Sequence, residues 1–309
     1  MDEINALIPT YKFTAGEGQN ALAVDGLQIT FTVNKTSLEG INYAEIVLYN
    51  LESSTVELLQ AQAKNNIYGV PISLEAGFRD DKGVIFTGNT SQLLGQTADF
   101  SQGFTKQIRF IAHDGQSAYR TKIIKTLKAG YSDYDVFLSV VEALRPQGLQ
   151  GFKNELQGPM IRKKYPRGRT LSQSAESLLV QLGNMYQASF YFDNNILYFY
   201  NEVKTGKASV TIGKNDIIGP IASMQTLTGQ ALVVTVRLNP AIRINEKILL
   251  KTDLIDVDPR YIYSSGGSIS DLGTQEGVYT IYKIIHEGDY YGRPWYTKIH
   301  IIQNIKDLF

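Results

Sequence analysis

Apolar and polar positions alternate through residues 277–302, and this alternation predicts a β-hairpin. Strand side chains point to the two faces in turn, so we expect Ile281 on one face and Tyr282 and Ile284 on the other. The residues between the two arms, 286–294, are rich in Gly, Asp and Pro, which is typical of a turn. Both faces carry apolar or aromatic side chains, and each is therefore expected to be covered.

The same alternation recurs in the first third of the chain and predicts a mostly β region. A helix is expected over residues 54–64, where a serine can cap the first turn and leucines recur at helical spacing. Regular strands separated by turn residues favour a barrel or a sandwich. The strands are expected at residues 27–34, 43–51, 70–76, 84–94, with an interruption at Gly88, and 106–113.

The middle of the chain has a mixed pattern of helices and a hairpin. Two capping boxes, at residues 132–135 and 170–173, each predict the start of a helix. A hairpin is expected over residues 188–200, with a three-residue turn at 193–195. A helix followed by a hairpin makes a small α+β unit, and the two helices are compatible with two small inserted modules.

Alternation returns at residues 232–238 and 243–251, and a polar, Gly/Ser-rich loop at 252–276 precedes the final hairpin. The predicted fold class is therefore mainly β with an α+β insert, in which two β-barrel domains flank a small helix and hairpin region. The expected divisions are a first barrel domain at residues 1–118, an α+β region at 119–204 and a second barrel domain at 205–309.

Composition and charge narrow the function classes. The chain has 309 residues and no cysteine, which excludes disulfides, cysteine-ligated zinc and thiol catalysis and is compatible with a reducing cytoplasm. Thirty basic and 30 acidic residues give a formal net charge of zero, so no global charge favours nucleic acid or a membrane. The N-terminus lacks a signal-peptide pattern, and no apolar run has the length of a transmembrane helix.

The three histidines offer little chemistry. His113, His286 and His300 show no metal-ligand spacing. His113 and His286 each end a predicted strand beside Asp and Gly, so a hydrogen bond to the turn backbone is favoured over a catalytic role.

Three aspartates, Asp253, Asp256 and Asp258, offer oxygen ligands of the kind that calcium prefers. The pattern lacks the turn glycine and the closing glutamate of a calcium loop, so a solvated loop is favoured. We therefore expect no metal-binding residues.

One basic cluster, Arg-Lys-Lys-Tyr-Pro-Arg-Gly-Arg, occupies residues 162–169. Basic residues around an aromatic ring can hold nucleic acid, but the neutral total favours a patch between subunits or one that lines a channel. Gly16 and Gly18 form no phosphate loop, because the Lys-Ser/Thr ending is missing. No nucleophile elbow and no glycosidase pair is recognisable. We expect no catalytic residues, no cofactor and no enzymatic activity.

Several segments resemble one known family, the baseplate hub proteins of contractile-tailed phages. His-Glu-Gly-Asp at 286–289, followed by Trp-Tyr-Thr at 295–297, resembles their last tube-like domain. The segments at 38–51, at 75–88 and at 110–115, Phe-Ile-Ala-His-Asp-Gly, resemble their first tube-like domain in order and spacing. The family is related to the hub part of type VI secretion spike proteins.

The resemblance implies a structural protein of the virion tail baseplate, assembled in the host cytoplasm as a homotrimeric ring. Such a ring joins the hexameric tail tube, or a tube-initiator protein, to a trimeric central spike. Its channel passes the tape-measure protein and then DNA, without sequence-specific contacts, and no membrane partner is implied. Two alternatives stay open: the hub of a type VI secretion-like or other contractile injection system, and a tail-associated cell-wall hydrolase.

The two β regions are further predicted to share one topology. A trimer whose subunits each carry two like units offers six quasi-equivalent surfaces to a sixfold tube. The strands that run into His113 and His286 are expected to correspond, and the two regions are expected to alternate around the channel.

Overall fold

The computed structural model describes residues 8–16, 21–37, 41–66, 69–100, 103–200, 208–225, 230–251 and 277–302. Within these ranges the chain is mainly β, with a mixed segment of helices and short strands in the middle. The predicted fold class is confirmed.

The first β unit occupies the N-terminal third and comprises seven strands and one helix among its described residues. Helix α1 (Ser53–Asn65) lies between the fourth and fifth strands, as predicted. The strands are β1 (Pro9–Ala15), β2 (Leu22–Val24), β3 (Ile29–Thr36), β4 (Tyr43–Tyr49), β5 (Pro71–Phe78), β6 (Asp81–Phe100) and β7 (Gly103–His113).

The middle segment, which we call the insert, follows β7 directly. Its helices are α2 (Gln116–Arg120), α3 (Asp133–Leu144), α4 (Gln157–Arg162) and α5 (Ala175–Tyr186). Its strands are β8 (Lys122–Leu127), β9 (Gly151–Asn154), β10 (Arg169–Ser174), β11 (Ser189–Asp193) and β12 (Ile196–Tyr200).

The second β unit follows the insert and ends with the predicted C-terminal hairpin. The strands described for it are β13 (Val210–Ile212), β14 (Ala222–Gln225), β15 (Gln230–Arg237), β16 (Lys247–Leu250), β17 (Gly277–Asp289) and β18 (Trp295–Ile302).

One of the two predicted capping boxes is confirmed and the other is wrong. At the start of α3 the Ser132 amide donates to the Asp135 carboxylate over 2.7 Å. Residues 170–173 instead lie in β10, which pairs with β8. The following helix begins after Ser174, whose Oγ accepts the N–H of Ser177 over 3.1 Å. A neighbouring strand therefore overrides the local helix signal.

The turn of hairpin β11–β12 has two residues, where the sequence predicted three. Asp193 still pairs with Ile196, which leaves Asn194 and Asn195 as the turn. Their φ angles of 53° and 60° lie in the left-handed region, which asparagine adopts more readily than most residues.

The same hairpin separates two hydrophobic cores. Phe192 and Phe199 lie in the core of the insert, together with buried residues of α3 and α5. Tyr191, Tyr198 and Tyr200 point the other way and pack in the core of the second β unit. Helices α3 and α5 share one core, so the insert is one unit and the two-module alternative is not adopted.

The two β units belong to one sheet, which has 13 strands among the described residues. The units meet where β17 pairs antiparallel with β3, from Lys283 opposite Thr36 to Asp289 opposite Thr30. The earlier part of β17 pairs with β16 instead of β3, along the same edge of the strand. Strand β17 therefore serves its own unit with one half and the first unit with the other.

The strand order is the same in the two units. It runs β3-β4-β7-β6-β5-β1 in the first and β14-β15-β18-β17-β16-β13 in the second, which confirms the predicted common topology in strand order. The outermost pair differs, because β1 is antiparallel to β5 whereas β13 is parallel to β16. Strand β2 has no counterpart among the strands described for the second unit.

In the first unit, β6 changes partner at Asn89. This residue pairs with Pro71 of β5 and with His113 of β7. The ladder with β7 then skips Ser91, which makes a β-bulge. The predicted interruption at Gly88 is wrong, since the strand continues there. A Cβ at Gly88 would lie 2.5 Å from the His113 carbonyl oxygen, so glycine is needed for close approach.

In the second unit, β17 changes partner at Thr280 in the same way. Thr280 pairs with Lys247 of β16 and with Ile302 of β18, and the next bulge skips Tyr282. The bulge follows the change of partner by two residues in both strands. The two units therefore share the register of these strands as well as the strand order. His113 of the first unit occupies the position of Ile302 in the second.

Two expectations for β17 are corrected by this register. His286 lies on β17, the counterpart of β6, so its predicted correspondence with His113 of β7 is wrong. Strict alternation placed Ile281 and Ile284 on opposite faces, but both are fully buried in the core of the second unit. The extra residue of the bulge moves Ile284 to the core face.

A substitution at Gly288 tests the close packing where the units join. A Cβ there would lie 2.3 Å from the Phe31 ring and 2.9 Å from the Trp295 ring. We expect Gly288→Ala to lower the free energy of unfolding by about 1–3 kcal/mol, because both rings must move. Urea denaturation measures it, with Gly158→Ala as the control, since no atom lies within 4 Å of that added Cβ. Equal stability of the two variants would contradict the packing.

Candidate functional site

Lys35 carries a positive charge into the junction between the first β unit and the insert. Its Nζ lies 2.6 Å from Asp193 Oδ1 and 3.2 Å from Asn194 Oδ1. Both members of the Lys35–Asp193 ion pair have side chains only 7% exposed. Lys35 follows Phe31 and Val33 in the core-facing row of β3, so its ammonium group needs a buried partner.

Asp114, immediately after β7, brings a second carboxylate to the same place. Its Oδ1 accepts the backbone N–H of Asn195 over 3.1 Å, and Oδ2 is buried with no hydrogen-bond partner among the described residues. Burial, followed by the charge of Asp193, raises the pKa of Asp114 to about 7, against the opposing effects of Lys35 and of the backbone N–H groups of Asn195 and Asn194. The junction thus contains two buried carboxylates and one buried ammonium group.

Asn42 ties the backbone of the first unit to the insert. Its Nδ2 donates to the Phe192 carbonyl over 2.6 Å, and its Oδ1 accepts the N–H of Thr36 over 2.8 Å. The Asn42 carbonyl accepts the N–H of Asp114 over 2.9 Å. Asn42 therefore fixes hairpin β11–β12 against β3 through its side chain and holds the end of β7 through its backbone.

His286 is a buried neutral residue of β17. The Thr297 hydroxyl accepts the N–H of Asn239 over 3.2 Å and is hydrogen-bonded to His286 Nδ1 over 2.9 Å. Burial, followed by the charge of Lys35, lowers the pKa of His286 to about 3. The predicted hydrogen bond to the turn backbone is wrong, because the strand continues past His286 and its Nδ1 bonds a side chain.

The other two histidines lie apart from each other and from His286. Burial, followed by the charge of Arg120, lowers the pKa of His113, and its Nδ1 has no hydrogen-bond partner in the described ranges. His300 on β18 meets the Tyr282 ring edge-on at 5.9 Å, and burial lowers its pKa to about 4. Among the residues described, no three His, Asp or Glu side chains are placed to hold a metal ion.

The predicted basic cluster, residues 162–169, is built around Tyr165. The Tyr165 ring stacks on Tyr131 with 4.8 Å between centroids, and its hydroxyl donates to Asp133 over 2.9 Å. The Tyr186 hydroxyl donates to the same carboxylate over 2.7 Å. The aromatic residue of the cluster therefore supports the start of α3. A role of the cluster between subunits or in a channel stays a prediction.

Some predicted features lie outside the described residues. They are Gly18, the Gly/Ser-rich loop at 252–276 and, within it, Asp253, Asp256 and Asp258. No described helix combines the length and the apolar character needed to cross a membrane.

The sheet face that points away from the cores carries an ion pair in each unit, among apolar residues such as Leu94 and Tyr282. Arg109 of β7 pairs with Glu45 at 2.7 Å, and Lys298 of β18 pairs with Glu287 at 2.8 Å. Arg109 and Lys298 occupy equivalent positions of the repeat. Arg109 lies four residues before His113, the partner of Asn89, and Lys298 lies four residues before Ile302, the partner of Thr280. Both cations are therefore paired with carboxylates on this face.

Replacing Lys35 tests the buried ion pair. We expect Lys35→Met to cost about 3–5 kcal/mol in urea unfolding, because Asp193 keeps a buried charge without its partner. Lys125→Met is the matched control, since Lys125 pairs with Glu142 at an exposed site and its loss should cost at most about 1 kcal/mol. Adding Asp193→Leu to Lys35→Met should recover much of the loss. Similar costs for the two lysine variants would refute the assignment.

Asp114→Asn tests the raised pKa of Asp114 through the pH dependence of stability. Between the ordinary value of 3.8 and the folded value of about 7, the folded state binds more protons than the unfolded state. Wild-type stability due to Asp114 is therefore full at low pH and is lost as pH rises through this window. The variant should gain stability relative to wild type from about pH 4 to about pH 8. His286, whose pKa is lowered, acts oppositely in both proteins and cancels from the difference. A difference that does not change with pH would contradict the assignment.

Comparisons with known proteins show the fold of the whole chain. No family model matches the sequence, and no curated protein matches it. The 43 kDa tail protein of prophage MuSo2 from Shewanella oneidensis superposes with a TM-score of 0.60 at 9% identity, covering 95% of this chain and 96% of that one. The tail protein from Neisseria meningitidis MC58 superposes with a TM-score of 0.57 at 9% identity, covering 94% and 96%.

A secretion component shares the fold as well. The Escherichia coli c3393 protein, a component of the type VI secretion system with structural similarity to the T4 tail proteins gp27 and gp5, has a TM-score of 0.51 at 8% identity. The match covers 91% of this chain and 74% of that one. The chain therefore has the fold of phage tail proteins, and the resemblance to the tail hub family that the sequence predicted is confirmed at the level of fold.

Proposed function

We propose that the protein is a structural baseplate hub protein of a phage tail. Three copies form a ring that joins the hexameric tail tube, or a tube-initiator protein, to a trimeric central spike. The observation that carries the proposal is the repeat: two β units in one chain share a strand order and the position of a bulge. Three chains with two such units present six quasi-equivalent surfaces to the tube and three to the spike.

We assign residues 1–118 and 205–309 to two tube-like domains and residues 119–204 to the α+β insert. Three separate hydrophobic clusters support this division. The hydrophobic cores do not follow these domain boundaries strictly, since Leu238 and Trp295 of the second unit pack in the core of the first. Such sharing holds neighbouring domains of a ring at a constant angle.

The repeat also indicates which strands would pair between neighbouring copies to close the ring. Within one chain, β3 of the first unit pairs with the later half of β17 of the second. The counterpart of β3 is β14, which ends the described sheet, and the counterpart of β17 is β6. By quasi-equivalence, β14 of one copy pairs with residues 93–96 of β6 in the next copy. The edge of β14 and the later half of β6 then each meet a partner, which removes an aggregation hazard at these two strands.

The sheet face that carries the pairs Glu45–Arg109 and Glu287–Lys298 is the surface we place toward the channel. Pairing of these two cations with carboxylates suits the passage of the tape-measure protein and then of DNA, since unpaired cations would hold phosphates. The role proposed is structural, in the virion tail baseplate, and no catalytic site is part of it.

A second candidate role is the hub of a type VI secretion-like or other contractile injection system. The fold likeness to the Escherichia coli secretion component supports it. The ring geometry is the same in both candidates, and they differ in the spike and the tube that the ring would bind. No contact or cluster among the described residues favours a cell-wall hydrolase.

Cysteine cross-linking tests the ring directly, because the native chain has no cysteine. Strands β14 and β6 are the counterparts of β3 and β17, so we apply the register of the β3–β17 pair to them. In that register Ala222 of one copy lies opposite Gln96 of the next. We expect Ala222→Cys/Gln96→Cys, oxidised in assembled tails or with the spike protein present, to give covalent trimers on a denaturing gel.

Each single-cysteine variant should give no covalent trimer, and Ala222→Cys with Ser172→Cys on the insert is the matched control. Ladders that extend beyond three chains would refute a closed ring. The absence of any cross-link between copies in assembled tails would refute the β14–β6 pairing.

A further inference from the structure

A cavity of about 360 Å³ opens beside the buried junction, between the first β unit and the insert. Helix α5 and the chain that leads into β11 form much of its wall. Its polar and charged lining includes Ser37, Asp114, Glu176 and Asn184, and its aromatic lining includes Phe190 and Tyr191.

The charges of the cavity are all of one sign. Asp114 and Glu176 are the carboxylates that line it, and none of its lining residues is a lysine, arginine or histidine. Aromatic rings form part of the same wall, and ring faces attract cations that have lost water. A cation therefore fits the lining better than an anion or a neutral ligand.

Asp114 provides a second and independent observation. It is 1% exposed, it lines the cavity, and its Oδ2 has no hydrogen-bond partner among the residues described. Buried polar atoms nearly always have a partner, so an orphaned carboxylate oxygen at a cavity wall indicates a missing donor. Its other oxygen is already engaged by the backbone of Asn195.

The charge balance of the junction points the same way. Asp114 and Asp193 face Lys35, while His286 is kept neutral by its lowered pKa. One buried negative charge is therefore left over whenever Asp114 is ionised. Two responses are open to the protein: Asp114 binds a proton, or a second cation enters from the cavity.

The shape and chemistry of the lining distinguish an organic cation from a metal ion. Calcium takes six to eight oxygen ligands, whereas Asp114 and Glu176 are the two carboxylates that line the cavity. Val180 and Ile41 add apolar wall along which an alkyl chain can lie. An ammonium group on an alkyl stem matches the carboxylates and the apolar wall together.

We propose that this cavity binds a primary alkylammonium group, whose head donates to Asp114 while its stem lies between the aromatic wall and α5. The group is either the side chain of a lysine in a partner protein or a free polyamine, since both present the same chemistry. Glu176 lies in the first turn of α5 and attracts the cation to the cavity. The proposal does not depend on ring formation or on the role in a tail.

Other charged groups near Asp114 bear on the pH dependence of binding. They are Lys35 on β3, Asp193 on hairpin β11–β12 and the preceding residue, His113, whose own pKa is lowered by burial and by the charge of Arg120. Because the pKa of Asp114 is raised to about 7, a bound cation displaces a proton from part of the population at neutral pH. Binding should therefore tighten as pH rises through about 7 and should release protons.

Isothermal titration calorimetry on the intact chain tests the proposal with Nα-acetyl-lysine methylamide and with 1,4-diaminobutane. We expect one saturable site per chain, with proton release that appears as a difference between buffers of unequal ionisation heat. Nα-acetyl-norleucine methylamide, which has a similar stem but no ammonium group, should not bind. Tighter binding of the lysine derivative identifies a protein side chain as the source, and tighter binding of the diamine identifies a polyamine.

Variants locate the site. Glu176→Gln should bind about tenfold more weakly, because it removes one of the two carboxylates that attract the cation. Asp114→Asn should abolish binding and proton release, and Val180→Trp should block the cavity without touching a carboxylate. Glu142→Gln, a carboxylate on the neighbouring helix α3, is the matched control and should bind as the wild type does.

The outcomes that overturn the proposal are distinct from those that overturn the ring. Equal binding of the norleucine derivative, or no saturable binding to the wild type, would refute the cation site. If Glu176→Gln and Val180→Trp bind the ligand as tightly as the control Glu142→Gln does, the cation site is also refuted. The last two comparisons stand even if Asp114→Asn does not fold, because Glu176 and Val180 lie on the outer side of α5.

Discussion

The pairing of β17 with β3 is the contact on which the rest of the architecture depends. Seven residue pairs join the two strands and make one sheet of two β units. Strand β17 can reach β3 only because it leaves β16 at Thr280 and adds an extra residue at Tyr282. That bulge turns Ile284 into the core and sets the register in which Lys35 of β3 lies opposite Ile284. The position of the buried charge is thus a consequence of the strand pairing.

The buried ion pair gives the junction a defined geometry at a cost in desolvation. Two charges removed from water are seldom a net source of stability, and their value lies in rejecting other arrangements. Lys35 contacts Asp193 only if hairpin β11–β12 packs against β3. Asn42 fixes the same placement, because its side chain donates to a backbone carbonyl of the hairpin. A slip of one residue in the β3–β17 register would take Lys35 from the inner row and leave the Asp193 carboxylate without its partner. The arrangement therefore favours one relative placement of the insert and the sheet.

The two β units keep one topology with different interiors. The core of the first unit is rich in phenylalanine, with Phe13, Phe86 and Phe110 all fully buried. The core of the second is made mainly of isoleucine, leucine and valine, completed by three tyrosines from the insert. Strand order and bulge position survive this exchange because they depend on backbone pairing, whereas the core tolerates many apolar combinations of suitable volume. A repeat of this kind is visible in the hydrogen-bond ladder while the sequences of the two units share little.

The hairpin β11–β12 shows how the insert takes part in both neighbours. Its alternate side chains enter two cores, and its turn supplies the carboxylate that holds Lys35. A short hairpin with no polar face is stable here because both of its faces are covered. The insert is consequently part of the framework and not an appendage, and the cavity beside it lies between well-packed walls.

The sequence by itself determined strands β3 to β7, hairpin β11–β12, strands β15 and β16, the helices after residues 53 and 132, the final hairpin and the order of β, α+β and β segments. These features follow from local rules: period-2 alternation, helix capping and turn composition. Only the tertiary structure decided that residues 170–173 pair with β8, that β17 carries a bulge, and that Lys35 is buried. The partners responsible are distant in the chain, as Lys35 and Asp193 are 158 residues apart. The orphaned oxygen of Asp114 belongs to the same class, because burial and the absence of a donor among the described residues depend on how separate segments pack.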